Sequence, residues 1–485
     1  MSQFGVALRQ VAQDRDVSIA RLAKLSGIDR TTLHKFISGE RTPKKSQAET
    51  LSSAMALLPH ERERLLEAFE VSYYGDNVFY QRKQIQSIIE NITNIHNMRY
   101  SVSELSNITT KSKPLHKAIE CFSGEHAVNS IISEIIFDEN QVINFSMPQD
   151  SPFFYSQLFT KYSVCDSLAI NCFVAFSKQK NSPVNLNILA NIMPFFVSHK
   201  AMFQAYYIYS DIDEIDLQTI PFPYFIQTSQ FTLLLSSGLE RAVLLQDEVF
   251  YGIYQQKCQD LMRSAKALLE RICDPNLLLE CYAKRLAGDM QLSGRGPDSL
   301  GIESQPCISI YLDKLTIRKY ATSLISENYS IINRFSQYVA GIRARMQGQT
   351  SIFTKDGINS FANTGIIQSI PSNCVKPLDI SDRIRLLRYM LNDTISNQIN
   401  YRLMDSAQLS FPFGLSITCG CFSNSPIVFS DFQSDPDATA VIQIDEPSIS
   451  GAFVDFFNYL PNSNFILSKD ETVQAIEEAL VILTA

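Results

Sequence analysis

The sequence has no uninterrupted apolar run of the roughly eighteen residues that a membrane-spanning helix needs. Its most apolar stretch, residues 186–209, is broken by asparagines, a proline, a histidine and a lysine. The first ten residues lack the cationic flank and apolar core of a secretory signal. Ten cysteines among 485 residues are sparse, and their spacing follows no disulfide framework. These absences predict a cytoplasmic protein with reduced thiols and no membrane partner.

Motifs that would indicate catalysis or a metal site are incomplete. His60 and Glu61 resemble the start of a zinc-protease helix, but Arg64 stands where the second histidine is required. The glycine-rich segment 293–296 lacks the lysine and hydroxyl residue of a phosphate-binding loop. The pair Cys419 and Cys421 has no partner pair at metal-binding spacing. We therefore predict no enzymatic activity, no catalytic residues, no metal and no cofactor.

Charge is unevenly distributed along the chain. The formal net charge is −8, yet residues 1–50 contain nine basic and five acidic side chains. The remaining 435 residues contain 33 basic and 45 acidic side chains. A small basic head on a large acidic body is typical of a head that faces DNA or a membrane.

The first seventy residues predict a bundle of about five short helices. Ser18 and Asp29 stand where the N-caps of a second and a third helix belong. Gly27 and Gly39 follow these two helices, as C-terminal glycines do. The pattern predicts two short helices joined by a tight turn.

The third helix, residues 30–38, has the two faces that a recognition helix in the major groove needs. Leu33 and Phe36 form the packing face. The opposite face carries side chains suited to reading base edges, and we predict this role for Arg30, Thr31, Thr32 and Lys35. We predict phosphate contacts, which fix the register on the duplex, for Ser18, Arg41, Thr42, Lys44 and Lys45.

Residues 4–58 resemble the lambda-repressor-like (Cro/XRE) helix-turn-helix family. The resemblance rests on Phe4 and Leu8-Arg9, Ser18-Ile19-Ala20-Arg21-Leu22-Ala23, Ser26-Gly27-Ile28, Arg30-Thr31-Thr32-Leu33, Gly39-Glu40-Arg41-Thr42-Pro43 and Leu51. Ile19 stands where this family usually has a glutamine. The resemblance implies a bacterial or phage transcription regulator, with base-reading positions at Arg30, Thr31, Thr32 and Lys35.

The rest of the chain predicts a mixed α/β body. We divide the sequence into a DNA-binding domain at 1–72, a connecting helix and linker at 73–114, and regulatory regions at 115–300 and 301–485. Within the body we predict strands at 167–176 and 222–235, one long helix through 249–272, and a helical stretch at 315–346. The sequence of strands followed by an apolar helix occurs near both 222–272 and 401–460, which is compatible with an internal duplication or with coincidence.

An aromatic-rich segment of the body has two interpretations. Its aromatic residues either belong to the core or line a ligand pocket, and aromatic residues at such spacings are more often core residues. They are Phe195, Phe196, Tyr206, Tyr207, Tyr209, Phe222, Tyr224 and Phe225.

The fold class predicted from sequence is thus multidomain, with an all-α helix-turn-helix head and a large mixed α/β body. The predicted function is a sequence-specific transcriptional regulator whose partner is double-stranded DNA. We expect a homodimer, because a single head touches few base pairs, with a body that binds a small-molecule or peptide effector. A protein-interaction factor of the antitoxin or phage-control type, and an enzyme with a DNA-binding head, are the alternatives.

Overall fold

The computed structural model describes residues 2–98, 118–179, 183–197, 202–210, 220–272, 299–323, 329–370, 374–420, 427–431 and 440–484. The chain divides into two compact units, residues 1–84 and 85–485. No helix within these ranges is long and apolar enough to cross a membrane.

The first unit is a bundle of short helices, as predicted. The helices are α1 (Gln3–Asp14), α2 (Ile19–Ser26), α3 (Arg30–Ser38), α4 (Lys45–Ala54) and α5 (Pro59–Tyr74). A sixth helix, α6 (Asp76–Met98), includes the residue at which the two units divide. Side chains from all five short helices form one apolar core, which includes Phe4, Leu8, Leu22, Leu33, Phe36, Leu51 and Leu65.

The ends of α2 and α3 are formed by the residues that the sequence indicated. The Ser18 hydroxyl accepts a hydrogen bond from the backbone N–H of Arg21 at 3.2 Å, which caps α2. Gly27 and Gly39 end these helices in the left-handed conformation, with φ of 69° and 85°. This conformation is costly for residues with a Cβ, so glycine is favoured at both positions.

The second unit contains two mixed sheets. The strands of the first sheet are β1 (Ile119–Ser123), β2 (Val142–Ser146), β3 (Ala169–Phe176), β4 (Phe203–Tyr209), β5 (Tyr224–Gln227), β6 (Thr232–Leu235), β7 (Arg241–Leu245) and β8 (Lys266–Ala267). They lie in the order β1-β7-β6-β5-β2-β3-β4-β8. The accompanying helices are α7 (Glu125–Asp138), α8 (Pro152–Val164), α9 (Pro183–Val197) and α10 (Glu248–Ser264).

The second sheet follows along the chain. Its strands are β9 (Leu269–Ile272), β10 (Ser299–Glu303), β11 (Thr350–Phe353), β12 (Asn400–Leu403), β13 (Leu415–Gly420), β14 (Ile427–Asp431) and β15 (Ala440–Ile444). Its helices are α11 (Lys314–Tyr320), α12 (Tyr329–Arg345), α13 (Lys355–Thr364), α14 (Ile380–Ile395), α15 (Pro447–Tyr459) and α16 (Lys469–Ile482). The first strand of this sheet therefore lies inside the range 115–300 that the sequence analysis assigned to the first regulatory region.

The two sheets have the same topology. The first seven positions of the first sheet read β1-β7-β6-β5-β2-β3-β4, and the second sheet reads β9-β15-β14-β13-β10-β11-β12. In both, three strands are parallel (β2-β3-β4 and β10-β11-β12) and the remaining pairings are antiparallel. In each set of seven, the strand that comes last along the chain, β7 or β15, is followed directly by a helix, α10 or α15. This correspondence favours the internal duplication over coincidence.

The helices are distributed differently around the two sheets. Helices α7, α8 and α9 share one apolar core with the first sheet, with α15 and with the inner face of the second sheet. The opposite face of the second sheet packs against α11–α14 and α16 in a separate core. Helix α10 lies on the opposite face of the first sheet, in a small cluster around Phe173, Phe225 and Cys258. Among the described residues, this face of the first sheet is thus covered by one helix, whereas the other sheet faces pack against several.

One of the secondary-structure predictions for the body was wrong at its end. The long helix predicted through 249–272 ends at Ser264, and residues 269–272 form β9, which pairs with β15. The stretch 315–346 is helical as predicted and contains α11 and α12, and the stretch 222–235 contains two strands, β5 and β6. In the aromatic-rich segment, Phe195, Phe196, Tyr207 and Phe225 are buried core residues.

Candidate nucleic-acid interface

Helices α2 and α3 and the turn between them form the candidate interface. Leu33, Phe36 and Ile37 on α3 are buried in the core of the first unit. Because an α-helix has 3.6 residues per turn, the residues between them lie on the opposite side. This arrangement leaves one face of α3 in solvent and fixes the other, as a recognition helix requires.

The predicted base-reading residues lie on α3 as expected, but not all in the same environment. Arg30, Thr31 and Lys35 are exposed. Thr32 is half-buried, and its hydroxyl donates a hydrogen bond to the Asp29 carboxylate. The backbone N–H of Thr32 donates to the same carboxylate at 2.9 Å. Thr32 is therefore part of the N-terminal cap of α3, and its hydroxyl proton is already used.

Asp29 carries the charge that this cap needs. The hydrogen bonds from the Thr32 hydroxyl and then from the Thr32 backbone lower the pKa of the Asp29 carboxyl, with a further contribution from the Lys35 ammonium. An ionised carboxylate at a helix N-terminus also interacts favourably with the helix dipole. The start of the recognition helix is thus fixed by its own first turn.

The predicted phosphate-contacting residues form two groups on the first unit. Ser18 is exposed at the N-terminus of α2, where its hydroxyl oxygen accepts the capping hydrogen bond and its proton can be donated. The second group follows Gly39, where buried Pro43 anchors the segment and the exposed residues are Arg41, Thr42, Lys44 and Lys45. The backbone N–H of Lys44 donates to the Gln47 side chain at 3.0 Å, which fixes this segment to the first turn of α4.

Sequence reasoning missed two residues of the exposed face of α3. His34 and Ser38 are exposed, and they follow Thr31 by three and seven residues, which places them on the same face. The Ser38 hydroxyl donates to the Lys35 carbonyl at 3.2 Å. Helical periodicity counted from Thr31, rather than from the apolar residues, would have included both.

An ion pair joins the loop after α1 to the start of α5. The guanidinium of Arg15 donates two hydrogen bonds to the carboxylate of Glu61, one of them at 3.2 Å. Glu61 also accepts from the backbone N–H of Leu58 at 2.8 Å. The pKa of the Glu61 carboxyl is lowered most by the hydrogen bonds from Arg15 and further by the hydrogen bond from the Leu58 backbone. This contact lies on the side of the bundle formed by α1 and α5.

Three solved structures to which this chain is similar share little sequence with it. An archaeal chromatin protein, TrmBL2, described with a novel mode of DNA binding, is 10% identical, with a TM-score of 0.23 over 46% of this chain and 83% of that chain. A phosphatidylserine synthase from Haemophilus influenzae is 9% identical, with a TM-score of 0.26 over 80% of this chain and 96% of that chain. A polyphosphate kinase from Porphyromonas gingivalis is 8% identical, with a TM-score of 0.24 over 80% of this chain and 61% of that chain. These low scores support no conclusion on function.

A comparison with protein families is more specific. No curated protein matches the chain. The model of the helix-turn-helix domain family matches residues 3–65, which span α1 to the first half of α5. The N-terminal part of this chain is therefore a helix-turn-helix domain, which suggests DNA binding.

Proposed function

We propose that the protein is a sequence-specific DNA-binding transcriptional regulator of the Cro/XRE type. The observation that carries this proposal is the exposed surface of α3, where Thr31 and Lys35 stand opposite the buried Leu33 and Phe36, and Arg30 is exposed at the first residue of the helix. Arginine and lysine donate to guanine, and threonine reads polar base edges or the thymine methyl group. A face with these groups, on a rigid helix, matches the chemistry of the major groove.

The charge distribution assigns DNA contact to the first unit. The basic residues Arg41, Lys44 and Lys45 follow the recognition helix and are exposed, and basic side chains of this kind contact phosphates. The chain beyond residue 50 has a twelve-charge excess of acidic over basic side chains, which opposes close approach to DNA. The second unit therefore has another role, which we propose to be dimerisation and effector binding without catalysis.

Dimerisation follows from the small number of base pairs that one recognition helix reaches. Two heads on one duplex bind half-sites whose centres lie about one helical turn, ~34 Å, apart. The expected operator is therefore a palindrome, and its symmetry would mirror that of the dimer.

Selection of bound fragments from random duplex DNA by the purified full chain tests the proposal. We expect one enriched palindromic motif. Arg30→Ala is the test variant, and Arg64→Ala is the matched control, because Arg64 is an exposed arginine on α5 rather than on α3. The control should enrich the same motif, and Arg30→Ala should lose preference at one position of each half-site. Absence of enrichment by the unmodified chain would refute sequence-specific binding.

A further inference from the structure

A row of five polar side chains crosses the sparsely covered face of the first sheet. One residue comes from each of five neighbouring strands, in the order Thr232, Gln227, Asn144, Asn171 and Gln204. Thr232 and Gln227 are each 1% exposed, Asn144 and Asn171 are half-buried, and Gln204 is exposed. We call these five residues the polar row; it runs from the interior under α10 to the solvent at β4.

The second sheet has apolar residues at the three central corresponding positions, and Arg402 at the position that corresponds to Gln204. Ile417, Ile302 and Ile352 occupy the register that Gln227, Asn144 and Asn171 occupy in the first sheet. These three isoleucines are buried in the core that the second sheet shares with α15. The fold thus accepts apolar residues at these three central positions, so its topology does not require amides there.

The amides of the polar row are hydrogen-bonded in one direction. The side-chain amide nitrogen of Asn171 donates to the side-chain oxygen of Asn144 at 2.8 Å. The side-chain amide nitrogen of Asn144 donates in turn to the side-chain oxygen of Gln227 at 3.3 Å. The Gln227 amide donates to the backbone carbonyl of Tyr251 on α10 at 3.0 Å. This series of hydrogen bonds orders the buried end of the polar row.

The solvent end of the row has hydrogen-bonding capacity to spare. Within the described part of the chain, the Asn171 carbonyl oxygen accepts no side-chain hydrogen bond. At the buried end, the Thr232 hydroxyl is enclosed without a partner among the described residues. An amide offers two donors and one acceptor, so the half-buried Asn171 and Asn144 can still bind a polar ligand.

Aromatic rings line the neighbouring register of the same face. Phe173 and Tyr206 are paired across β3 and β4, and their rings are stacked with centroids 5.6 Å apart. Phe173 also stacks against Phe225 at 6.5 Å. Tyr206 is half-buried, and its hydroxyl donates to Gln204. The side-chain amides of the polar row thus lie beside a flat apolar surface formed by these aromatic rings.

We propose that the polar row and Tyr206 bind a neutral carbohydrate, which acts as the effector of the regulator proposed above. Vicinal hydroxyl groups both donate and accept, as the amides of Asn171, Asn144 and Gln204 do. The C–H face of a sugar ring packs on an aromatic ring such as Tyr206. The polar row contains no charged side chain, so a phosphorylated or carboxylated ligand has no counter-charge within it. The effector role rests on the proposed function, whereas the site itself does not.

The test is equilibrium binding of glucose, galactose, maltose and lactose to the full chain, with adenosine and guanosine as the competing class. Asn171→Ile gives the polar row the residue type of its counterpart in the second sheet, and Asn171→Asp keeps the shape but removes the amide donor. We expect at least one sugar to bind and both variants to weaken it by about tenfold or more, which is the loss of one good hydrogen bond. Asn363→Ala, at an exposed asparagine on α13 in the other half, is the matched control and should bind as the unmodified chain does.

Three results would overturn this inference. They are binding of no sugar in the panel, binding of nucleosides alone, and sugar binding that both Asn171 variants retain. The selection of DNA fragments is carried out separately, without sugar. If the protein enriches a DNA motif but binds no sugar, this inference is refuted and the proposed function remains intact. If the sugar is the effector, it must also change the affinity for the selected motif, and DNA must change the sugar affinity by the same factor. Sugar binding with no effect on DNA affinity refutes the effector role.

Discussion

Replacing Gly5 by alanine tests how closely α1 must approach the recognition helix. A Cβ at Gly5 would lie 2.4 Å from the Ile37 carbonyl oxygen and 2.8 Å from that of Phe36, both at the C-terminal end of α3. Carbon and oxygen rarely approach within about 3.3 Å, so one helix must move by roughly 1 Å. Such overpacking typically costs ~1–3 kcal/mol. Alanine regains at most ~1 kcal/mol of helix propensity, so even with this full gain the net loss reaches up to about 2 kcal/mol.

Hydrogen exchange in the full chain, followed by mass spectrometry, measures this loss in the helices concerned. We expect faster exchange of the core amides of α1 and α3, and weaker binding to the selected DNA, because displacement of α3 also misplaces Arg30 and Lys35. Gly252→Ala is the control. Gly252 is a helical glycine of α10 with no atom within 4 Å of an added Cβ, so only the propensity gain applies and exchange should slow. Unchanged or slower exchange in the Gly5→Ala variant would show that the α1–α3 approach is not limiting.

Three further predictions concern single side chains. Arg30→Ala should cost ~1–3 kcal/mol of binding free energy on the selected motif and relax the preference at one base pair, and an equal loss on all sequences would contradict base reading. Lys44→Ala should weaken binding to every duplex and flatten the slope of affinity against salt by about one, and an unchanged slope would remove Lys44 from the phosphate contacts. Burial raises the pKa of the Glu303 carboxyl to about 7, so the second unit should lose stability as pH rises from the unfolded value near 4.5 through 7. Glu303→Gln should remove this dependence in urea unfolding measured between pH 5 and 8, and an unaltered pH profile would argue against a buried neutral acid.

The sequence predicted the first unit well because its structure depends on neighbouring residues. Each N-cap at Ser18 and Asp29 bonds within three residues, and Gly27 and Gly39 act on the helices that they directly follow. Residues 1–50 also carry the charge that indicates their partner. Local chemistry was less informative about Thr32, because a hydroxyl suited to base reading is equally suited to the cap that it joins.

The body was harder to predict because distant segments decide its local structure. Residues 269–272 continue an apolar pattern from α10, yet they form a strand because β15, about 170 residues later, provides the pairing edge. The polar row has the same origin. Asn144 and Gln227 are 83 residues apart and meet only through the register of β2 and β5. No short window of sequence contains such a pairing.

The duplicated topology also explains why equivalent positions differ in composition. Helix α15 lies inside the core shared by the two sheets, with Phe453, Phe456 and Phe457 buried, whereas Cys258 is the buried residue of α10 in the described structure. On the outward side of α10, Val249 is 70% and Ile253 55% exposed. In the described structure, the outer face of the second sheet packs against several helices of its own half, whereas the corresponding face of the first sheet packs against α10 alone. A polar row that reaches solvent fits such a face, because beneath α15 the donors and acceptors that these amides do not use among themselves would be buried, each at a cost of about 1–3 kcal/mol.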